Sequence, residues 1–316
     1  MNQFKPTLSD IKRAHQRIER YIIRTPILTS HSINDLTGCE IAFKCENFQK
    51  IGAFKMRGAA NAVFSYRPED RANGFATHSS GNHAQAIALA SQMANVPAYV
   101  VMPSNAPEVK KRAVAGYGAK IIFCEPTVEA RESTCNQVIS ETGATFIHPF
   151  DDERIIAGQA TATKELIEDE HDLDIVMTPV GGGGLAAGAA LSVKYLTPTT
   201  QVILGEPEEV NDAHTSFKTG KLAPATNKPT IADGLKTPLG KLNFAIIQEL
   251  VSDILLVSEE EIVAAMRLIW ERMKIIIEPS CAVPLAAILR NKELFTGKKV
   301  GIILTGGNVD LGNLPF

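Results

Sequence analysis

The chain has little of what marks several functional classes. Its five cysteines, Cys39, Cys45, Cys124, Cys135 and Cys281, are an odd and scattered set with no CxxC pair. They read as reduced thiols of a cytoplasmic protein, not as a disulfide framework or a zinc site. Charge of one sign is not in excess: 32 Lys and Arg stand against 35 Asp and Glu, a net charge of −3 with a pI near 6.2. So weak a field excludes a nucleic-acid or anionic-membrane binder. No apolar run approaches the roughly 18 residues of a membrane span. The opening MNQFKPTLSDIKRAH has no apolar h-region and carries an acidic residue, so neither a secretory signal nor a transit peptide is expected. Repeats and low-complexity tracts are absent too.

What is there is the bulk and rhythm of an α/β protein. At 316 residues, about two domains of roughly 150 residues are expected, enough to bury a core without staples. Short β-rich runs alternate with longer amphipathic stretches. The runs are Ile41–Lys44, Phe75–Thr77, Ala98–Met102, Lys120–Phe123, Thr145–His148, Ile175–Pro179, Gln201–Leu204, Ile254–Val257 and Val300–Leu304. Several are almost wholly apolar, as strands covered on both faces must be. Asn82–Met93 is an Ala-rich helical pattern. Ala106–Ala115 carries Pro107 near its start and Gly116 just past its end. Ser258-Glu-Glu-Glu261 is a capping box ahead of an apolar-periodic run to Met273. The alternation predicts open, mostly parallel sheets with flanking helices. Residues 67–145 are expected to form a small domain, and 1–66 with 146–316 a larger one. Ligands in such folds sit beyond the carboxyl ends of the strands, often between lobes.

Four segments point to chemistry. Val180-Gly-Gly-Gly-Gly-Leu185 follows a strand and opens a helix running to about Tyr195. Consecutive bare N–H groups at a helix N-terminus make a phosphate cradle, whereas a tight turn needs only one or two glycines. The spacing Gly181-x-Gly183-x-x-Ala186, with Glu206 ending the next strand, also fits a dinucleotide fingerprint. A nicotinamide-dependent dehydrogenase is therefore a rival, weakened by the motif's position past the middle of the chain. In Gly52-Ala-Phe-Lys55-Met-Arg57-Gly58, a lysine follows an aromatic residue between glycines. It reads either as a snorkelling surface lysine or as a buried amine nucleophile. His78-Ser79-Ser80-Gly81-Asn82-His83-Ala84-Gln85 gathers hydroxyls, an amide and imidazoles at a strand-to-helix junction. Such a junction binds a carboxylate, and ordinary capping accounts for one polar residue there, not five. Leu304-Thr305-Gly306-Gly307-Asn308 closes the last strand and sets Thr305 at its carboxyl end.

In this order the four segments resemble the β-family, fold type II, of pyridoxal phosphate enzymes, whose fold is tryptophan synthase β-like. Within it the chain is similar to the serine racemase group and the serine/threonine and threo-3-hydroxyaspartate ammonia-lyases. Lys44-Cys-Glu-Asn-Phe-Gln49, Ile156-Ala-Gly-Gln159, Thr230-Ile-Ala-Asp-Gly234, Glu278-Pro-Ser280 and Gly306-Gly-Asn-Val-Asp310 extend the likeness over nearly the whole chain. One cofactor then explains all four motifs, where NAD explains one. The resemblance implies that Lys55 forms the Schiff base, Phe54 packs near the ring and Asn82 bonds the ring's phenolic oxygen. Gly181, Gly182, Gly183, Gly184 and the Leu185 N–H would hold the phosphate, and Thr305 would meet the pyridine nitrogen. A hydroxyl can only hydrogen-bond a neutral pyridine, which makes a weaker electron sink than one protonated by aspartate. Lys55 and Ser80 would be acid/bases on opposite faces of the substrate. Ser79, Ser80, Asn82, His83 and Arg131 would bind it.

The same resemblance implies a racemase with dehydratase activity, a cytoplasmic homodimer. Hydroxyaspartate ammonia-lyase and threonine deaminase are its alternatives, and a catalytically silent binding module stands outside the class. Glu206, the Val210 carbonyl and Asp212 match the family's metal segment and suit a hard cation, Mg²⁺ or Ca²⁺; a solvated acidic turn is the plain alternative. ATP as an effector would use Ser30, Lys50, Gln85, Tyr117 and Asn308, although His31 and Ile51 depart from the animal pattern. Arg131, on a helix expected to start near Thr127, is either a surface residue paired with Glu129 or Glu132 or a fork for a second substrate carboxylate. Phe150 stands as a bulky wall where animal racemases have a polar residue.

Overall fold

A computed structural model describes residues 4–316, apart from Ser80, Pro107, Asn227 and the side chain of Val109. Ser80, expected above as an acid/base, therefore lies outside the described residues. Ten strands form two sheets: β1 (Ile27–Leu28), β2 (Glu40–Cys45), β3 (Phe75–His78), β4 (Ala98–Pro103), β5 (Lys120–Cys124), β6 (Thr145–Phe146), β7 (Ile175–Pro179), β8 (Gln201–Pro207), β9 (Asp253–Val257) and β10 (Lys299–Leu304). One sheet runs β1-β2-β10-β7-β8-β9 and the other β5-β4-β3-β6. Every pairing is parallel except β1 with β2. Among the described residues no helix is long and apolar enough to cross a membrane.

Successive side chains on a strand face opposite ways, and both faces of the larger sheet are covered. Met177 and Ile302 pack with the helices Glu259–Met273 and Pro279–Arg290. Their neighbours Val176 and Ile303 pack with Gly184–Leu196 and Lys241–Leu250. That is why these strands read as unbroken apolar runs. The parallel register of β10 with β2, Lys299 against Glu40 through Leu304 against Cys45, brings Thr305 level with Glu46 at the carboxyl edge.

Several expected bounds shift, and one strand was not expected. The run from Thr145 to His148 pairs as a strand only to Phe146. Ile147 N still donates to Ala76 O at 2.9 Å, but Pro149 has no N–H to continue the ladder. The helix expected over Ala106–Ala115 spans Glu108–Gly116, and the left-handed residue that ends it is Gly118 at φ +77, not Gly116. The two-residue antiparallel β1 escaped notice because it is too short to show a period.

A charged network lies behind the helix Lys55–Ser65. Arg57 donates to both oxygens of Glu46 at 2.7 and 2.8 Å and to both of Glu165 at 2.8 and 2.7 Å. Lys44 pairs with Glu165 at 2.8 Å and donates to the Thr25 carbonyl at 2.7 Å, and all four charged side chains are fully buried. His15, from the helix Leu8–Ile18, reaches Glu165 at 3.2 Å. Five elements are thereby tied together two residues from Lys55.

Candidate active site

Lys55 opens its helix directly after two tight turns, where Ile51 and Gly52 both take positive φ, +60 and +69. A Cβ on Gly52 would stand 2.9 Å from the Asn308 amide oxygen, so only glycine fits the left-handed turn there. The segment is laced to the end of β10. Phe54 N donates to Thr305 O, Gly307 N to Gly52 O, each at 2.9 Å, and Ala53 bridges Gly306. Lys55 Nζ lies 5.1 Å from the Phe54 ring centre and donates to the Pro149 carbonyl at 3.2 Å. Desolvation lowers this amine to about 8, against an opposing pull from Glu278. The snorkelling reading of Lys55 is thereby set aside, although the residue keeps some solvent contact.

Sequence reasoning assigned no role to Glu278. The residue is 6% exposed, and Asn82 Nδ2 donates to its two oxygens at 3.0 and 3.2 Å. Burial pushes its carboxyl up to about 7, with the Asn82 bond acting the other way. An acid closing the apolar run Ile275-Ile-Ile277 was the available signal. Asn82 Oδ1 accepts from Asn308 Nδ2 at 2.8 Å, and the same nitrogen donates to Ile51 O at 2.8 Å. The Asn82 amide expected at a ring oxygen is thus already engaged with Glu278, and would have to share its donors.

The helix Asn82–Met93 begins at Gly81 with no side-chain cap, so ordinary capping does not explain the polar cluster. Ser79 Oγ accepts from Gly81 N at 3.3 Å. His83 is 2% exposed, and neither ring nitrogen is hydrogen-bonded among the described residues. Burial lowers its imidazole well below the usual value, with Lys55, His148 and His78 acting in the same direction.

On the other side stands the glycine loop. The N–H groups of Gly181, Gly182 and Gly183 donate to nothing else among the described residues. The helix begins at Gly184, with Gly183 as its cap at φ +90. A Cβ on Gly182 would lie 2.4 Å from the Phe150 ring, and one on Gly181 2.8 Å from Leu235 Cα. Thr305 is 3% exposed and its hydroxyl has no partner. A bare N–H cradle, a buried amine and an orphaned buried hydroxyl at one strand edge fit a phosphorylated carbonyl cofactor with a ring acceptor. Lys55 and the glycine loop meet through Phe150 and Asn243. The Phe150 carbonyl accepts from Asn243 Nδ2 at 3.1 Å, and Gly182 O accepts from the same nitrogen at 2.7 Å.

A family model for pyridoxal-phosphate dependent enzymes matches residues 18–306. The chain belongs to this family. It is 50% identical to the β-hydroxyaspartate dehydratase of Paracoccus denitrificans over 98% of this chain and 99% of that one. It is 52% identical to the serine racemase of Dictyostelium discoideum over 98% and 96%. The structure of maize serine racemase superposes with a TM-score of 0.96 at 41% identity, over 98% of this chain and 95% of that one. The nicotinamide alternative falls away. The two-sheet fold is the one that the family resemblance implied.

The family's remaining expected positions are scattered more widely. Arg131 is partly buried on the helix Val128–Thr142, which Thr127 caps. It pairs with neither Glu129 nor Glu132; its Nε donates to Thr127 O at 3.3 Å. Its charge reaches His78, whose imidazole is lowered first by burial and then by Arg131. Glu206 is fully buried at the end of β8, but its oxygens accept from Ala213 N at 2.9 Å and His214 N at 2.7 Å. It therefore caps the helix Asp212–Thr219 instead of standing free. Beside it Asp212 Oδ2 is buried without a partner. Burial raises both carboxyls, Asp212 to about 6. Glu206 and Asp212 are buried, unlike Glu208 and Glu209 in the turn between them. Val210 is the last residue of the intervening turn Glu208–Val210. Two buried carboxylates without a cation fit a hard metal ion. Among the described residues no group of three His, Cys, Asp or Glu side chains gathers to hold one. Of the nucleotide set, Asn308 lies against the turn that holds Lys50. Gln85 is buried and Tyr117 packs partly buried among apolar side chains. Ser30 precedes another helix, its hydroxyl 3.2 Å from Ser32.

Proposed function

We propose that the protein is a serine racemase with L-serine ammonia-lyase activity, converting L-serine to D-serine and, by loss of water, to pyruvate and ammonia. The observation that carries it is the Lys55 amine, lowered by burial and donating to the Pro149 carbonyl, on a segment laced to Thr305 and next to the Phe150 that packs on the glycine loop. Pyridoxal phosphate, when bound, supplies an electron sink for the bond broken at the substrate α-carbon. The chain's own residues do the rest. The N–H groups of Gly181 to Gly184, with that of Leu185, would hold the phosphate. The Thr305 hydroxyl would hydrogen-bond the ring nitrogen. Ser79, Asn82 and the N–H groups at the start of Asn82–Met93 orient the substrate carboxylate. Lys55 takes the α-proton of the L-enantiomer, and Ser80 serves the opposite face. Return of a proton on that face inverts the centre, and departure of the β-hydroxyl eliminates water.

Residues 67–145 act in this reading as a small domain that closes on the rest. Support comes from Lys110, on Glu108–Gly116, which pairs with Asp233 in the loop ahead of Lys241–Leu250. The reading extends to a cytoplasmic homodimer, in keeping with the free cysteines and the family likeness. It also includes an ATP effector near Lys50 and Asn308. The Asn308 bond to Asn82 gives such a ligand a route to the active site.

A second reading, L-threo-3-hydroxyaspartate ammonia-lyase, is favoured by Arg131, a partly buried guanidinium with no carboxylate partner among the described residues, and by the Paracoccus relative. A substrate panel scored for pyruvate, oxaloacetate, 2-oxobutyrate and D-serine separates the two readings and threonine deaminase. With Arg131→Ala, the specificity constant for the dicarboxylate is expected to fall by about 2–4 kcal/mol, with far less change for L-serine. Equal loss on both substrates would assign Arg131 to the fold.

The metal belongs to this reading as a structural ion held by Glu206, Val210 O and Asp212. EDTA is expected to lower the thermal midpoint by a few degrees, and Mg²⁺ or Ca²⁺ to restore it. An unchanged midpoint in metal-stripped buffer would remove the site.

A further inference from the structure

His148 has no part in the chemistry described so far, yet it directly precedes the carbonyl that receives Lys55. Its Nδ1 accepts two backbone bonds, from Phe150 N at 3.3 Å and Asp151 N at 2.9 Å. An Asn or Asp oxygen does the same in an Asx turn, collecting the N–H groups two and three residues on. The peptide plane between Pro149 and Phe150 carries both relevant groups. In a trans peptide the C=O and N–H point in opposite directions. With the Phe150 N–H held on the imidazole, the Pro149 carbonyl is turned out of the other side, where Lys55 Nζ meets it at 3.2 Å.

The rest of the turn is anchored independently. The Phe150 ring stands edge-on to the imidazole, centres 4.6 Å apart at 89°. Asp151 accepts from Lys241 N and Leu242 N, each at 3.0 Å. Nδ1 accepts only when the ring is neutral with its proton on Nε2. Burial keeps it so; His78 and Lys55 press in the same direction, and Asp151 and Asp152 oppose them. The charged group acting on the amine itself is Glu278, and the amine in turn bears on the imidazoles of His83 and His148.

We propose that His148 is a positioning residue for Lys55: by holding the Phe150 N–H it aims the Pro149 carbonyl at Nζ and fixes where the amine stands when it is not joined to the cofactor. The inference rests on the reading of Lys55 as the cofactor-bearing lysine. A carbonyl aimed at an ammonium stabilises the charged form, so removing the device must ease deprotonation.

The test is trace labelling of the full-length apoprotein with acetic anhydride across a pH series, following Lys55 by mass spectrometry. The wild-type amine is expected to titrate near about 8. His148→Leu, which has no acceptor, should move that midpoint down by about one pH unit, the scale of losing one charge-assisted hydrogen bond. His148→Asn sets an oxygen the same number of bonds from Cα as Nδ1, so it should keep the wild-type midpoint. A midpoint unmoved in His148→Leu, or moved equally in both variants, would overturn the inference. If His148→Leu does not fold, His148→Ala carries the same expectation. Borohydride reduction of the wild-type holoenzyme separates the two layers. A pyridoxyl mark on another lysine overturns the functional reading, whereas a mark on Lys55 with no shift overturns the role of His148 alone.

Discussion

Lys55→Ala is expected to leave a folded protein whose turnover of L-serine, D-serine and L-threo-3-hydroxyaspartate falls at least about 10⁴-fold, the upper range for loss of one acid/base group. Two lysines of the neighbourhood are committed elsewhere among the described residues. Lys44 is locked in the interior against Glu165 and the Thr25 carbonyl. Lys110 is committed to Asp233. Alanine is a good residue in the first turn of a helix, and the amine it replaces is held there against a desolvation cost. Stability should therefore be unchanged or slightly higher. Circular dichroism and a coupled pyruvate assay check both halves. Substantial turnover in a folded Lys55→Ala protein would remove Lys55 from the chemistry.

The second large effect is on stability. Arg57 satisfies four carboxylate oxygens in a fully buried setting, so Arg57→Met strands Glu46 and Glu165 without it. Removing one partner of such a set costs about 3–5 kcal/mol, even where the intact set is itself no more stabilising than apolar packing. The thermal midpoint should fall by several degrees or the protein should fail to accumulate. The network also sets an acid limit. Burial opposes ionisation of Glu165, but hydrogen bonds from His15 and Arg57 and the charges of Arg57 and Lys44 outweigh it. Its carboxyl thus stays ionised well below the usual carboxylate range. The unfolded chain binds that proton near pH 4.5 and the folded one does not. The stabilisation is therefore whole above that pH and lost as pH falls below it. Glu165→Gln should lower stability at neutral pH and flatten the acid-side fall. An unaltered acid limb in Glu165→Gln would assign the acid sensitivity to other carboxylates.

How far the sequence could be read depends on how local each cause is. β7 spans Ile175–Pro179 as expected, because its apolar run, buried on both faces, ends at the glycine loop. The helices Asn82–Met93 and Glu259–Met273 also keep their expected bounds, the latter because Ser258 and Glu261 cap each other reciprocally. Thr127 caps its helix through Ala130 N at 3.1 Å, again a local bond. What escaped depends on partners distant in the chain. Arg57 reads as part of a short motif, and only the fold reveals Glu165 across it. Glu278 reads as one more acid until Asn82 is seen to donate to it. His148 reads as the end of a strand, whereas the proline after it converts that end into a turn around the imidazole. The glycine loop and Lys55 were legible as separate motifs. Their approach through Phe150 and Asn243 was not, since nothing in either segment encodes it.

The central claim is that this chain carries pyridoxal phosphate on Lys55 and uses it on small hydroxy amino acids. The most direct measurement is reduction of the purified protein with borohydride, followed by digestion and mass mapping, before and after addition of L-serine. The account predicts a yellow protein whose visible band disappears on reduction, with the phosphopyridoxyl mark on the peptide containing Lys55 and a loss of that mark when substrate is added first. A protein that stays colourless after added pyridoxal phosphate, or one marked at a lysine other than Lys55, would contradict it.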